Sequence, residues 1–385
     1  MKKYLKPATL FFLLFSALVA FPISAFCADE VNIGVIMPLT GRVAAIGIDT
    51  VHGAEIAAKE INDAGGLEVA GKKYKVMIRA YDDEANAAKA IAGLQRLKDK
   101  YDVPVVIDGL SATTMSMLEQ NEKLGIIIMG FFKHPDATAK GNKLVLRHQQ
   151  TAVADAKQTA EAVAKALNAK TYALISSSDD YGKSMVSSYE EAFSSLGVKQ
   201  VANEWFDERT QTDFRGQLTK IRSAAPDVIM LTGHDEASAS VIKQAHELGI
   251  TTPFGLSTGF GTTAEKLTGP ELIEGYFKRI EFTSKMPWPP ANARYRNDLY
   301  PAMGYKEPIA GFGINSYATI HIITKAMQKA GTTKDAYKIR EAVPSVVPLP
   351  EEYNTTGVLK FYENGDADIT AIMGKFQNGK LVPLE

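Results

Sequence analysis

Short apolar runs alternate along this chain with longer segments whose apolar residues recur every three or four positions. Residues 33–37 and 103–107 are runs of the first kind, whereas 51–64 is of the second kind and ends at Gly65-Gly66. Unbroken apolar runs are typical of strands that helices cover on both faces, and the wider spacing is that of an amphipathic helix. The pattern therefore predicts an α/β protein with parallel sheets.

This alternation of strands and helices runs twice, at similar spacing. The first series predicts strands at 33–37, 74–81, 103–107 and 125–129, with helices at 51–64, 86–101 and 113–124. The second predicts strands at 172–175, 198–203, 228–231 and 253–256, with helices at 154–167, 182–196, 214–224 and 237–248. A loop rich in Pro and Trp at 286–290, a helix at 309–330 and a hairpin of strands 357–362 and 369–376, turned at Asn364-Gly365, follow. We therefore predict two similar doubly wound parallel-sheet lobes with a ligand cleft between them.

Ligands of doubly wound sheets bind beyond the carboxyl ends of the strands. The candidate loops are those that follow Met37, Ile107, Met129, Ile175, Leu231 and Leu256. The polar run 176–180 is more simply the rim of a cleft than a catalytic group, because no Gly-x-Ser-x-Gly, HExxH or phosphate-loop motif accompanies it. A binding protein without catalytic residues is therefore favoured over an enzyme.

The N-terminus has the order of a secretory signal peptide, which we place at residues 1–28. Lys2, Lys3 and Lys6 precede an apolar run at 10–20, and small residues follow up to Ala28. This run is shorter than the roughly 20 residues that span a bilayer. Cleavage near Ala28 is favoured over lipid attachment at Cys27, because the bulky Phe26 fits a lipoprotein cleavage box poorly. The expected location is the periplasm.

The composition of the chain excludes several classes of partner and cofactor. Cys27 is the only cysteine among 385 residues, so no intrachain disulfide can form. Without the first three lysines, 40 basic and 44 acidic residues remain, and this net negative charge argues against nucleic acid or an anionic membrane as partner. The six histidines are scattered without ligand-like spacing, so we expect no metal and no cofactor.

Five motifs fall in order at the predicted junctions of strands and helices. They are Ile33 to Gly41, Gly53 to Gly66, Tyr81-Asp82-Asp83, Asp180-Tyr181-Gly182, and Phe214-Arg215 ahead of Pro226-Asp227. Over nearly its whole length after residue 28 the chain resembles the type I periplasmic binding proteins, especially the leucine/isoleucine/valine-binding branch.

The resemblance implies two lobes joined by three hinge crossings, which close on a small organic ligand and pass it to an inner-membrane ABC permease. Lobe 1 would comprise 29–149 plus 284–354, and lobe 2 would comprise 150–283 plus 355–385. A monomer suits this task. A sensory module of the same fold, which presents its ligand to a receptor, is the alternative, and the sequence does not separate the two.

The resemblance also implies that groups after the third strand hold a ligand carboxylate. Ser111 is the leading candidate, with Thr113 and Thr114 beside it, and the alternative for Ser111 is an ordinary helix N-cap. In the next loop, Phe131 and Phe132 offer an aromatic wall, and Lys133 or His134 could pair with an acidic group. The alternatives are that one Phe belongs to the core, that Lys133 is solvated and that His134 is a loop residue.

From the second lobe, Tyr181 matches a tyrosine that lines the family's cleft. His234 stands where an aromatic is usual and could hydrogen-bond a ligand, while Asp235 contacts the ligand or caps a helix. Near the first turn, Ile46 also stands where an aromatic is usual. Thr258 occupies the place of the acid that pairs with a ligand's ammonium.

An unpaired ammonium in a closed cleft costs several kcal/mol. Either Asp235 or Glu236 therefore replaces the missing acid, or the ligand has no ammonium. The second alternative favours a carboxylate, an amide or an aromatic acid over a branched-chain amino acid.

Overall fold

The structure, a computed structural model, describes residues 29–280, 290–306, 311–369 and 371–384. The predicted signal peptide with Cys27, residues 286–289 of the predicted loop 286–290 and the first residues of predicted helix 309–330 lie outside these ranges. None of the helices in the described ranges combines the length and the apolar character needed to cross a bilayer.

The first sheet has six strands in the order β2-β3-β1-β4-β5-β6. Apart from β2, which pairs antiparallel with β3, its strands are parallel. They are β1 (Asp29–Met37), β2 (Leu67–Val69), β3 (Lys72–Asp82), β4 (Val105–Asp108), β5 (Ile127–Gly130) and β6 (Val145–Arg147). The helices along this part of the chain are α1 (Ala44–Asp63), α2 (Ala87–Tyr101), α3 (Ser111–Leu124) and α4 (Asp136–Ala139).

The second sheet has seven strands in the order β15-β14-β11-β10-β9-β7-β8. They are β7 (Thr171–Ser177), β8 (Lys199–Phe206), β9 (Val228–Thr232), β10 (Phe254–Leu256), β11 (Phe277–Ile280), β14 (Ile372–Gln377) and β15 (Lys380–Pro383). The first five are parallel, and β14 and β15 are added antiparallel at the edge. The helices here are α5 (Ala152–Leu167), α6 (Asp180–Ser195), α7 (Arg215–Ala224), α8 (Asp235–Glu247) and α9 (Thr262–Thr268).

A 3₁₀ turn (Pro270–Leu272) precedes β11 in the second lobe. The described elements from Pro290 to Ile369 return to the first sheet. They are α10 (Pro290–Arg294), a π-helical turn (Tyr295–Leu299), α11 (Tyr300–Ala302), α12 (Phe312–Ala330), α13 (Ala336–Ala342), a 3₁₀ turn (Val343–Val346) and the paired strands β12 (Val358–Phe361) and β13 (Ala367–Ile369). The prediction of two α/β lobes with parallel sheets is thus confirmed. The chain passes between them after Arg147, between Ile280 and Pro290, and between Ile369 and Ile372.

The last of these passages differs from the sequence-based expectation in two ways. Residues 358–369, which the sequence assigned to lobe 2, pack with the first core through Val358, Phe361 and Ile369. The Asn364-Gly365 turn joins β12 to β13 only, whereas β14 pairs with β11 and β15. The predicted strand 369–376 is therefore divided between the lobes. The reason is tertiary, because the buried Arg147 side chain is paired with Asp366 of this hairpin at 2.8 Å.

Several short elements escaped the sequence analysis. The strands β2, β6 and β11 have three or four residues each, too few for a periodicity to show. The long helices, in contrast, lie close to their predicted positions. Helix α2, for example, begins directly after Asn86, whose side chain accepts from the backbone N–H of Lys89 at 3.1 Å.

Helices α1 and α12 approach each other so closely that a glycine is required at their contact. A Cβ atom on Gly53 would lie 1.9 Å from the carbonyl oxygen of Gly313. The contact is completed by the Gly313 N–H, which donates to Asp49 Oδ2 at 2.8 Å. This helix pair joins the last third of the chain to the first sheet.

Gly53→Ala is therefore expected to lower the free energy of unfolding by about 1–3 kcal/mol, since the helices must move apart. Urea denaturation followed by circular dichroism measures it. The matched control is Gly216→Ala in α7, where a Cβ atom would meet nothing within 4 Å, and which should stabilise by about 0.4–1 kcal/mol. Equal stability of the two variants would contradict the close approach.

Candidate functional site

A cleft lies between the carboxyl ends of the two sheets. The first sheet contributes loops after β4, β5 and β6, and the second contributes the segments after β7, β9 and β10. The lining residues are Gly109, Leu110, Ser111, Phe131, Lys133, Gln149, Tyr181, His234, Thr258, Gly259 and Phe312. The cleft holds about 10 Å³ of free space, room for about one water molecule, so an organic ligand requires the lobes to separate.

The start of α3 forms one wall of this cleft. Ser111 is its first residue, and Leu110 at the N-cap has no side chain that could accept from the helix. The first N–H groups of a helix lack intrahelical partners and attract anions. Ser111 Oγ accepts from the backbone N–H groups of Lys133 and His134 at 3.0 and 3.2 Å. Ser111 is thus not the N-cap, and its own hydroxyl hydrogen remains to donate to a further acceptor.

The two threonines of this helix do not line the cleft. Thr113 and Thr114 each donate a hydroxyl to Asp108 Oδ2 at 2.9 Å, and all three residues are fully buried. Asp108 also accepts from the Leu110 N–H at 3.1 Å. Burial, with a contribution from nearby Asp83, raises the pKa of Asp108 to about 8. Both threonines therefore anchor the loop that presents Ser111.

The four candidate residues in the loop after β5 lie in different surroundings. Phe131 lines the cleft and packs edge-on against Phe312, with ring centroids 5.8 Å apart. Phe132 instead lies in the core, where its ring is 5.3 Å from the guanidinium of Arg147. His134 is half-buried outside the lining, and its Nδ1 accepts from the Asp136 N–H at 3.3 Å. The aromatic wall on this side thus consists of Phe131 alone from the predicted pair, together with Phe312 of α12.

Lys133 is buried rather than solvated. Its side chain is 3% exposed, and Nζ lies 2.9 Å from Asp155 Oδ2 on α5. Although burial acts in the opposite direction, Arg279 and Lys133 lower the pKa of Asp155. Because Lys133 follows the first sheet and α5 packs on the second, this ion pair joins the lobes beside the cleft.

Tyr181 and Thr258 line the opposite wall. Tyr181 is the second residue of α6, whose N-cap is Asp179, and the Asp179 carboxylate accepts from the Gly182 N–H at 2.9 Å. The Tyr181 side chain is 5% exposed and its hydroxyl has no hydrogen-bond partner among the described residues. This hydroxyl and that of Thr258 are uncharged polar groups at the second lobe's side of the cleft.

His234 is held by a buried ion pair that the sequence analysis missed. Its Nδ1 lies 2.8 Å from Glu208 Oε2, and its backbone N–H also donates to the same carboxylate. Burial alone would lower the pKa of His234, but Glu208 raises it to about 9, so the ring is protonated at neutral pH. The predicted strand 198–203 stopped before β8 ends, and Glu208 just beyond it was therefore not among the candidate loops.

Three further candidates lie outside the lining. Asp235 Oδ1 accepts from the N–H groups of Gly261 and Ala264 at 2.9 and 3.1 Å, so it caps α9, and burial raises its pKa to about 6. Glu236 is 3.4 Å from Arg42. Ile46 is buried in the first core.

Arg42 bridges the mouth of the cleft. It lies between β1 and α1 of the first lobe, and its guanidinium donates to the carbonyl oxygens of Gln211 and Glu208 at 2.6 and 3.2 Å. These acceptors belong to the second lobe, as does Glu236. Arg42 thus acts as a latch between the lobes in this arrangement.

No group of three or more His, Cys, Asp or Glu side chains in the described part of the chain is placed to hold a metal ion. The chemistry available at the cleft is that of hydrogen-bond donors, two cations and an aromatic surface.

Comparisons with known proteins agree on one family. Residues 30–367 match the family model described as periplasmic binding protein. The Leu/Ile/Val-binding protein homolog 3 of Brucella melitensis is 27% identical over 96% of this chain and 97% of its own. An amino acid binding protein of Pseudomonas aeruginosa is 30% identical over 88% and 90%.

Solved structures share the fold. The branched-chain amino acid binding protein LivJ of Streptococcus pneumoniae, in complex with isoleucine, superposes with a TM-score of 0.80 at 24% identity, covering 92% of this chain and 98% of that one. A solute-binding protein of Rhodopseudomonas palustris in complex with benzoate gives 0.81 at 18% identity, covering 92% and 96%.

The ion pair between His234 and Glu208 predicts a pH-dependent stability. Since the pKa of His234 is raised from 6.5 to about 9 in the folded chain, its contribution is complete below pH 6.5 and is lost as the pH rises through 9. His234→Gln should lower the free energy of unfolding by about 3–5 kcal/mol at pH 6 and by clearly less at pH 10. Urea denaturation at a series of pH values measures both.

His246→Gln serves as the control, because His246 is an exposed residue of the same helix α8. Its Nε2 contacts two uncharged groups, the Leu272 carbonyl oxygen at 2.9 Å and the Tyr276 hydroxyl at 3.1 Å, so the loss should be about 0.5–1.5 kcal/mol, that of a neutral hydrogen bond. A loss in His234→Gln that stays the same from pH 6 to pH 10 would show that the ring is not charged in the folded protein.

Proposed function

The chain belongs to the periplasmic binding protein family, and on this premise we propose that it is the substrate-binding component of an ABC importer, which captures a small organic solute between its lobes. The observation that carries the proposal is the cleft itself, where the N-terminus of α3, the Ser111 hydroxyl and the unpartnered Tyr181 hydroxyl converge from both lobes. Groups of this kind bind a carboxylate and its neighbouring polar atoms.

Capture proceeds by hinge closure. In the separated state the first lobe offers Ser111 and the start of α3 to a carboxylate. Closure then brings Tyr181, His234 and Thr258 against the rest of the solute and excludes water. Among the described residues, we place lobe 1 at 29–147 plus 290–369 and lobe 2 at 152–280 plus 372–384.

The relatives support the importer role. Their names describe Leu/Ile/Val and amino acid binding, and two structures of this fold hold isoleucine or benzoate. The signal-peptide pattern supports a periplasmic location, from which a monomer delivers the solute to an inner-membrane permease. Transport of an amino acid or a related carboxylate, amide or aromatic acid is therefore the proposed role.

A thermal-shift screen of the protein, stripped of bound solute by unfolding and refolding, tests capture. A ligand at a hundredfold excess over its Kd raises the stability by about 2.7 kcal/mol. Ser111→Ala and Tyr181→Phe should each weaken binding of the solute found by about tenfold or more, since each removes one hydrogen bond to it.

Ser116→Ala is the matched control. Ser116 lies on the same helix α3, but its hydroxyl donates to the Thr113 carbonyl oxygen at 2.7 Å, outside the lining of the cleft. Ser111→Ala leaves two backbone N–H groups without an acceptor and can also lower stability, so Tyr181→Phe is the cleaner variant. Unchanged affinity in both would contradict the site.

The latch gives a separate prediction for closure. Arg42→Ala removes charged hydrogen bonds between the lobes, worth about 1.5–3 kcal/mol each when well formed, and should shift the population toward separated lobes. Small-angle X-ray scattering should then give a larger radius of gyration than for the unchanged protein. Arg209→Ala, which alters an exposed side chain within the second lobe, should leave it unchanged. The same radius in all three proteins would show that Arg42 does not hold the lobes together.

A further inference from the structure

We infer that the solute is an organic carboxylate without an ammonium group, and that His234, Lys133 and Thr258 together exclude amino acids from the cleft. This inference rests on the proposed function, since it specifies which solutes the same cleft accepts. It decides between the two alternatives that the sequence left open.

The charged side chains that line the cleft are both cations. Lys133 and His234 belong to the lining, whereas none of the lining residues carries a carboxylate. Their counter-ions lie behind the walls, because Asp155 pairs with Lys133 from α5 and Glu208 pairs with His234 from the loop after β8. A bound ammonium would face cations and find no anion to pair with.

The acids that could have replaced the missing partner are engaged elsewhere. Asp235 caps α9 through two backbone N–H groups, and Glu236 pairs with Arg42 at the mouth of the cleft. Neither belongs to the lining. The residue that does occupy this part of the wall is Thr258, whose hydroxyl cannot neutralise an ammonium.

His234 is oriented to donate to the solute. Glu208 binds Nδ1 and the backbone N–H, which fixes the ring. Nε2, at the far side of the ring, has no hydrogen-bond partner in the described part of the chain. The groups that act on this ring are Glu208, Asp179 and Asp235, and all three favour its charged form.

The Tyr181 ring lies 5.1 Å from that of His234, centroid to centroid. Its hydroxyl is buried and unpartnered. Two donors from the second lobe thus converge where an amino acid would place its ammonium. They match a carbonyl or hydroxyl oxygen next to the carboxylate, whereas an ammonium only donates and has nothing to accept the hydrogen of the His234 Nε2–H.

Matched pairs of solutes test this directly by isothermal titration calorimetry on the stripped protein at pH 7. The pairs are alanine and pyruvate, leucine and 4-methyl-2-oxopentanoate, phenylalanine and phenylpyruvate, and glutamate and 2-oxoglutarate, with benzoate as a ninth probe. In at least one pair the oxo acid should bind at least about 100-fold more tightly than the amino acid, because a site with unpaired donors rejects the wrong partner strongly. Binding of benzoate and of none of the other eight probes would also support the inference.

Two variants connect the preference to the named residues. His234→Gln should weaken binding of the best oxo acid or benzoate by about tenfold or more, while His246→Gln should leave it unchanged. Thr258→Glu adds a carboxylate to the wall of the cleft. It should weaken binding of the same probe and strengthen binding of the corresponding amino acid. Unchanged binding in His234→Gln and no gain in Thr258→Glu would overturn the assignment.

The outcomes separate this inference from the function on which it rests. Tighter binding of any amino acid than of its oxo acid overturns the inference and leaves solute capture intact. Binding of none of the nine probes overturns the inference, and the thermal-shift screen with the Ser111 and Tyr181 variants then decides whether the cleft captures another solute.

Discussion

The arrangement of the two lobes depends on a buried ion pair beside the cleft, between Lys133 and Asp155. Both side chains are at most 3% exposed, and they come from opposite lobes. Buried charges are strongly destabilising once a partner is removed, so the lobes cannot shift at this point without keeping the pair or rehydrating it. A backbone hydrogen bond connects the lobes at the same position, because the Ala152 N–H donates to the Lys133 carbonyl oxygen at 2.9 Å. The lobes therefore separate more easily at the mouth of the cleft, where the hydrogen bonds of Arg42 to Glu208 and Gln211 are only partly buried.

The same pair illustrates how the cleft obtains its chemistry. Each cation at the wall, Lys133 and His234, is paired from behind with a carboxylate that the cleft does not contact, and Asp155 is shared between Lys133 and Arg279. A cation held in this way keeps its charge when water leaves, which a lone buried lysine or histidine would not. The fold therefore presents positive hydrogen-bond donors to a solute without the repulsion that two unpaired charges would cause.

Much of the fold was predictable from the sequence, because it is encoded in local patterns. The long helices and the central parallel strands follow from periodicity and from turn residues such as Gly65-Gly66. The position of the cleft also follows, because carboxyl ends of parallel strands meet at one edge. The sequence did not predict short strands such as β6 and β11, or the return of residues 358–369 to the first lobe. Both depend on contacts between residues that are distant in the chain, such as the ion pair of Arg147 with Asp366.

At the site, the sequence by itself determined which loops carry the polar and aromatic residues, and that Thr258 stands where an acid is usual. Only the tertiary structure decided what each of them does. It placed Ser111, Phe131, Lys133, Tyr181, His234 and Thr258 along one cleft, and turned Thr113, Thr114 and Phe132 into the interior. It also joined His234 to Glu208, 26 residues earlier. The physical reason is that an ionisable group's role is set by its burial and its charged neighbours, and both are properties of the packed chain.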